Sequence, residues 1–119
     1  MLFTGLLISA SNRTFPADET AGLPGEYISF CATRNCRVFD LLVIAQKKEL
    51  EFSINRRVAF QRIRDGIFQS REYHLEQWLA CYDYEKKALT ENKKGRILRY
   101  IPGKNKIFWG SHPYLKIKK

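Results

Sequence analysis

The segment from Ser70 to Asn92 constrains the fold most, because its apolar residues recur at the spacing of an amphipathic helix. One apolar stripe is formed by the residues at positions i, i+3, i+4 and i+7, which are Leu75, Trp78, Leu79 and Tyr82. Ser70 suits the N-cap of such a helix, and Gly95 suits the position just after its end. The pattern therefore predicts one long helix.

Runs of β-forming residues lie on both sides of this predicted helix. The first run is apolar, lacks the basic start of a signal peptide and is too short to span a bilayer, so we interpret it as a buried strand. A turn of Pro, Gly, Lys and Asn joins the last two strands, and a short alternating tail follows them. The predicted strands are Leu2–Ser9, Tyr27–Thr33, Val38–Ala45, Arg96–Ile101 and Lys106–Trp109.

Two segments between the third strand and the helix fit more than one structure. Residues 49–54 alternate strictly, and they form either an extension of the third strand or a separate strand. Residues 56–64 suit a short helix, which we favour, but Asp65-Gly66 is also a preferred hairpin turn. In that case Val58 and Phe60 would belong to a strand.

The order of these elements predicts a mainly β, α+β domain over residues 1–119. Three strands, a long helix and two strands form the order of a five-stranded OB barrel, in which the helix joins strands 3 and 4. In architecture and charge the chain resembles the compact OB-type single-strand-binding proteins of phages and mobile elements. The resemblance implies a basic groove with exposed aromatic rings on which bases stack.

Positive charge is concentrated in the last third of the chain. The formal net charge is +9, and residues 86–119 contain eleven Lys/Arg against one acid, Glu91. A compact basic patch repels itself, and a polyanion relieves that repulsion while releasing counterions. The charge distribution therefore predicts nucleic acid as the partner, bound without chemical change and with little sequence preference.

The predicted binding site lies on the C-terminal hairpin, where basic and aromatic residues are interleaved. Tyr100 and Trp109 are the candidates for stacking on bases, and the loop lysines Lys104 and Lys106 can reach phosphates whichever face is buried. Phe108 fits core packing better. The full predicted set is Lys93, Lys94, Arg96, Arg99, Tyr100, Lys104, Lys106 and Trp109.

Other functions are also compatible with the sequence. A protein–protein or inhibitor module of phage type is compatible with the basic, aromatic composition. A small nuclease or RNase toxin is a further alternative, with Asp40, Glu49 and Glu51 resembling the metal-binding hairpin of PD-(D/E)xK nucleases, although Ser53 stands where their lysine is expected. Residues 56–85 could also form a helix-turn-helix with arginines facing DNA.

The cysteine content bears on metals and on the compartment. Cys31, Cys36 and Cys81 are too few and too odd in number for a secreted disulfide framework, so we expect a cytoplasmic protein. His74 and Cys81 would lie about 10 Å apart on a helix, too far to share one zinc ion. We therefore predict no metal, no cofactor, no catalytic residue and no membrane partner, with a homodimer as a further partner through the Ile97 and Ile101 face.

Overall fold

Within residues 19–119, eight antiparallel strands form a closed barrel in which each strand pairs with its neighbours along the chain and β8 closes on β1. The structure is a computed structural model that describes residues 19–119. The strands are β1 Gly25–Ala32, β2 Cys36–Gln46, β3 Glu51–Arg64, β4 Ile67–Asp83, β5 Ala88–Glu91, β6 Ile97–Ile101, β7 Lys106–Trp109 and β8 His112–Lys118. The predicted five-stranded OB barrel with a long helix is therefore wrong, and the predicted strand Leu2–Ser9 lies outside the described residues.

The predicted helix over residues 70–92 is wrong because this segment forms most of β4 and all of β5. Trp78, Ala80 and Tyr82 alternate into the barrel core, while Leu75 and Leu79 lie exposed on the opposite face. Apolar residues from two faces of one strand thus imitate a helical stripe. Pairing with β3 over almost the whole length of β4 supplies the contacts that override the local helical spacing.

The predicted short helix over residues 56–64 is also wrong, and the hairpin alternative is confirmed. These residues belong to β3, and Asp65 and Gly66 alone connect it to β4. Both have positive φ, 51° and 79°, as a type I′ turn requires. The predictions of strands near residues 27–33, 38–45, 96–101 and 106–109 are confirmed, with the 49–54 segment divided between a turn and the start of β3.

The inside of the barrel is filled with apolar and aromatic side chains. Tyr27, Phe52, Ile54 and Leu98 are fully buried there, and Leu23 joins them from the segment before β1. The Tyr27 hydroxyl donates a hydrogen bond to the Leu23 carbonyl at 2.7 Å, which satisfies a buried polar group. No helix within residues 19–119 is long and apolar enough to cross a membrane.

Strands β1 to β4 continue beyond the barrel as an extension that we call the arm, residues 29–39 and 57–75. At about 3.3 Å per residue, the 17 residues of β4 span roughly 56 Å, whereas β5 has four residues. β8 pairs with β1 only as far as Ile28, and β5 pairs with β4 only from Ala80. The arm is therefore an open four-stranded sheet with two faces, one of which continues the barrel interior.

Candidate functional site

The predicted basic residues of the last third do not form one surface. Successive turns of an up-and-down barrel open at alternate ends, so Lys93 and Lys94 in the β5–β6 turn lie at the arm end. Lys104, in the β6–β7 turn, and Lys106, which follows it, lie at the opposite end. The length of the barrel thus separates Lys93 and Lys94 from Lys104 and Lys106.

Arg96 is occupied by internal contacts. Its guanidinium donates hydrogen bonds to Glu91 at 2.6 and 2.9 Å and to Glu76 at 2.9 Å, and it lies 3.8 Å from the centre of the Trp78 ring. Arg99, by contrast, points outward, 5.3 Å from the centre of the Phe108 ring. Of these two predicted phosphate ligands, only Arg99 is available without breaking an ion pair.

The prediction that Tyr100 stacks on bases is wrong, because its side chain is only 4% exposed. In β6 the residues that face the core are Leu98 and Tyr100, so the hairpin directs Tyr100 into the barrel. Trp109 is half-buried against the same core, with its ring 5.2 Å from that of Trp78 in an edge-to-face arrangement. The C-terminal hairpin therefore presents no exposed aromatic platform.

An ion network closes the arm end of the barrel. Arg56 donates two hydrogen bonds to Asp40, at 3.0 and 2.9 Å, and the Tyr114 hydroxyl donates a third at 2.7 Å. Arg56 also lies 3.6 Å from Glu76, which links this group to Arg96. Burial of five charged side chains in one chain of contacts is costly unless every partner is present.

Glu76 lies at the centre of this network and sets its acid sensitivity. Burial raises the pKa of Glu76, but hydrogen bonds from Trp78, His74 and Arg96 outweigh it and lower the pKa from 4.5 to about 2. A carboxyl with a depressed folded-state pKa contributes stability above pH 4.5, and that contribution is lost as pH falls towards 2.

Glu76→Gln should therefore be less stable than the wild type at neutral pH by about 1–2 kcal/mol, a value that allows for the 24% exposure of the Glu76 side chain. This difference in the free energy of unfolding should disappear as the pH falls from 4.5 to about 2. Urea unfolding of both proteins across this pH range measures the difference. A difference that stays constant down to the lowest pH would contradict the stabilising role of the Glu76 carboxylate.

A cavity of about 380 Å³ opens beside this network, lined by Ser29, Cys31, Val38, Asp40, Arg56, Trp109, His112 and Tyr114. Its charged groups, Asp40 and Arg56, are already paired with each other. The cavity can hold a small molecule against Trp109 and His112, but the described residues offer no uncompensated charge that would select a ligand class.

The nuclease and metal alternatives find little support in this geometry. Asp40 pairs with Val58, whereas Glu51 lies seven positions away on β3, about 23 Å along the strand. These carboxylates cannot share one metal ion. Within residues 19–119 no group of three or more His, Cys, Asp or Glu side chains could hold a metal, and all three cysteines are free.

The helix-turn-helix alternative over residues 56–85 is wrong, because both of its predicted helices are strands, β3 and β4.

The outward side of the arm carries a row of exposed aromatic rings. Phe30 pairs with Phe39, which pairs with Ala59, which pairs with Tyr73, so the four side chains cross the sheet in one line. The ring centres of Phe30 and Phe39 are 4.5 Å apart. The exposed fractions are 51% for Phe30, 42% for Phe39 and 69% for Tyr73. We call this line the aromatic row.

Arginines lie on both sides of the aromatic row, on the same face. Towards the tip, Arg37 pairs with Gln61 and Gln61 with Arg71; towards the barrel, Arg57 lies between Leu41 and Leu75. Because neighbouring residues on one face are two positions apart, the flanking lines are about 13 Å from each other. We call the aromatic row and these arginines the outer arm face.

Arginine predominates over the whole arm. Six arginines stand against two carboxylates, Asp65 and Glu72. Arg62 lies 3.6 Å from Glu72, and no other arm arginine forms an ion pair with a carboxylate in the described part of the chain. Arg37 donates to Gln61 at 3.0 Å and lies 4.5 Å from the centre of the Phe68 ring, which holds its side chain against the sheet.

Sequence reasoning missed this face, although the sequence contains a signal for it. Arg37-x-Phe39-x-Leu41 in β2 and Arg71-x-Tyr73-x-Leu75 in β4 repeat the same basic, aromatic, aliphatic alternation. A period of two in both segments indicates one face of a sheet. The pattern in β4 overlaps the helical spacing that begins at Leu75, and that spacing predicts a helix instead of a strand.

Comparison with known proteins found no match: no family model, no curated protein and no solved structure is similar to this chain.

Proposed function

We propose that the protein binds single-stranded nucleic acid on the outer arm face, with little sequence preference. The observation that supports this most is the exposed aromatic row, which has Arg37 and Arg71 on its tip side and Arg57 on its barrel side. Binding proteins of this kind combine rings on which bases stack with a positively charged surface that follows the backbone. The proposal keeps the partner predicted from composition but moves its site from the C-terminal hairpin to the arm.

Stacking supplies the first part of the argument. Phe30, Phe39 and Tyr73 leave much of their ring surface in water, which is costly unless another surface covers it. Every base has a π-face, so a row of rings accepts bases without selecting a sequence. The sheet fixes the row, because each ring stands on a paired strand residue rather than on a loop.

Charge supplies the second part. Arg37, Arg57 and Arg71 flank the row, and none of them is neutralised by a carboxylate within residues 19–119. Guanidinium groups bind phosphate through paired hydrogen bonds and also stack on bases. Lysines at both barrel ends, such as Lys93 and Lys104, add to the general positive field.

Salt dependence tests the proposal directly. A labelled single-stranded oligonucleotide, titrated by fluorescence anisotropy at several salt concentrations, should bind with a log–log slope of about −2, as expected for three phosphate contacts at about 0.7 each. Arg57→Ala should reduce the slope by about 0.7, whereas Arg99→Ala, on the barrel surface, should leave it nearly unchanged. Absence of binding at low salt, or affinity independent of salt, would overturn the proposal.

A protein partner is the second candidate, because exposed aromatic residues and arginine are also the residues that protein interfaces favour. The same titration separates the two. A protein-binding face gives no oligonucleotide affinity in the micromolar range, and any residual binding would be equally sensitive to substitutions throughout the barrel.

A further inference from the structure

Both edges of the arm lack a neighbouring strand among residues 19–119, and the β4 edge is longer than the β1 edge, which is unpaired only over residues 29–32. β5 pairs with β4 only over Ala80 to Asp83, and the part of β4 from Arg71 to Gln77 is paired with β3 alone among residues 19–119. Exposed strand edges present rows of unpaired N–H and C=O groups and readily accept another strand.

The direction of the backbone groups at the β4 edge follows from two hydrogen bonds. The Tyr82 N–H donates to the Leu50 carbonyl, on the β3 side, at 2.8 Å, whereas the Leu79 carbonyl accepts from the Asn92 N–H, beyond the opposite edge of β4, at 2.9 Å. The directions of the backbone groups alternate from residue to residue along an antiparallel strand, and the pairing of β3 with β4 is regular from Gln61 to Glu51. The backbone N–H and C=O groups of odd-numbered β4 residues in this stretch therefore point away from β3. Arg71, Tyr73 and Leu75 therefore point their N–H and C=O groups at the free edge.

The edge also lacks two of the features that protect exposed edges from pairing. Proline and lysine are common protections, and the segment Arg-Glu-Tyr-His-Leu-Glu-Gln at 71–77 contains neither. Its charged residues, Arg71, Glu72 and Glu76, restrict the registers in which a partner strand can pair. A bulge between Gln61 and Ile63 ends the regular part of the edge near Arg71. A partner strand of about five residues would thus fit.

We propose that this edge pairs with the same edge of a second copy of the chain, antiparallel, with Tyr73 opposite the partner's Tyr73. Only odd residues can exchange hydrogen bonds here, which limits the registers. A register centred on residue 72 would place Glu72 opposite the partner's Glu72. A register centred on residue 74 would place Glu72 opposite the partner's Glu76. A register centred on residue 71 would oppose two arginines. Like charges directly opposite each other are destabilising. Centring the pair on residue 75 opposes no like charges, but it places Tyr73 opposite the partner's Gln77 and so loses the aromatic pair that the Tyr73 register forms.

The register centred on Tyr73 has no such conflict. Glu72 faces the partner's His74, and Arg71 faces the partner's Leu75. The pairs at residues 71, 73 and 75 would exchange about six backbone hydrogen bonds. Since cross-strand partners share a face, the two aromatic rows would join at Tyr73 into one continuous row across both arms. Dimerisation would double the outer arm face, but it does not depend on nucleic acid.

Light scattering coupled to size exclusion, without oligonucleotide, tests the dimer over micromolar to millimolar protein. The wild type should approach twice the chain mass of 14.0 kDa as concentration rises. Leu75→Pro removes an N–H at the free edge and none towards β3, so it should stay monomeric and folded. Leu75→Ala keeps the N–H and should still dimerise. A wild type that stays monomeric throughout, or a Leu75→Pro variant that still dimerises, overturns the proposal.

Cross-linking tests the register. In a background with serine at positions 31, 36 and 81, Tyr73→Cys should form a disulfide between two chains when dissolved oxygen is supplied as the oxidant, because self-opposed residues have Cα atoms about 5.5 Å apart. Glu72→Cys is the matched control and should not. Cross-linking at residue 72 and not at residue 73 would overturn the register. Phe39→Ala should leave dimerisation unchanged, which separates this proposal from nucleic-acid binding.

Discussion

Replacing Phe39 with alanine should weaken oligonucleotide binding by about 5- to 150-fold, the equivalent of the 1–3 kcal/mol that one base–aromatic stack contributes. Phe39 stands in the middle of the aromatic row and contacts Phe30 directly, so its loss interrupts the platform. The salt slope should not change, because no phosphate contact is removed. Fluorescence anisotropy with a labelled single strand measures both quantities.

Two further variants sharpen this test. Phe39→Tyr keeps the π-face and should retain most of the affinity for the oligonucleotide. Phe39→Leu keeps an apolar side chain but has no π-face, and it should lose most of that affinity. Ile117→Ala removes an exposed apolar side chain from β8, away from the arm, and should have no effect. Equal affinity for Phe39→Leu and the wild type would show that stacking does not occur at this residue.

Replacing Asp40 with alanine should lower the free energy of unfolding by about 3 kcal/mol. Asp40 accepts two hydrogen bonds from Arg56 and one from Tyr114 within the mouth of the barrel. The substitution leaves a half-buried guanidinium without its strongest partner and a buried hydroxyl without an acceptor. Urea unfolding followed by tryptophan fluorescence measures the change, since Trp78 and Trp109 lie beside the network.

Glu72→Ala is the matched control for this prediction. Glu72 is an exposed carboxylate 3.6 Å from Arg62, also exposed, and its removal should change stability by no more than about 0.5 kcal/mol. Asp40→Asn keeps oxygen and size but loses charge, and it should fall between the wild type and Asp40→Ala. If Asp40→Ala proved as stable as Glu72→Ala, the network would have no structural role.

Local sequence is sufficient to predict the strands of which one face is buried and the turns that contain characteristic turn residues. Tyr27 and Leu42 lie in strands that their β-forming composition predicts, and Gly103 marks the turn of the C-terminal hairpin correctly. The Asp65-Gly66 turn was recognised as an alternative to a helix, because this dipeptide readily adopts positive φ at both positions. These features depend only on neighbouring residues.

The candidate site could be predicted only in its chemistry. The predicted pattern of interleaved basic and aromatic residues is exposed on the arm rather than on the C-terminal hairpin. Tyr100 is directed inward by the barrel closing around it, and Arg96 is neutralised both by Glu91, five positions away, and by Glu76, twenty positions earlier in the chain. Neither the curvature of a closed sheet nor an ion pair over that separation can be read from local spacing.

The order of residues alone accounts for the strand character of residues 27–33, 38–45, 96–101 and 106–109, for the turn at 102–105 and for the excess of positive charge. It does not account for the turn between β4 and β5, which lies inside the segment predicted as a helix. The state of residues 70–83 depends on tertiary contacts, because Leu75 and Leu79 face outward while Trp78 and Tyr82 face the core. Spacing alone fits a helix and a two-sided strand equally. Pairing with β3 selects the strand, because hydrogen bonding and burial along a long partner outweigh a small difference in local propensity.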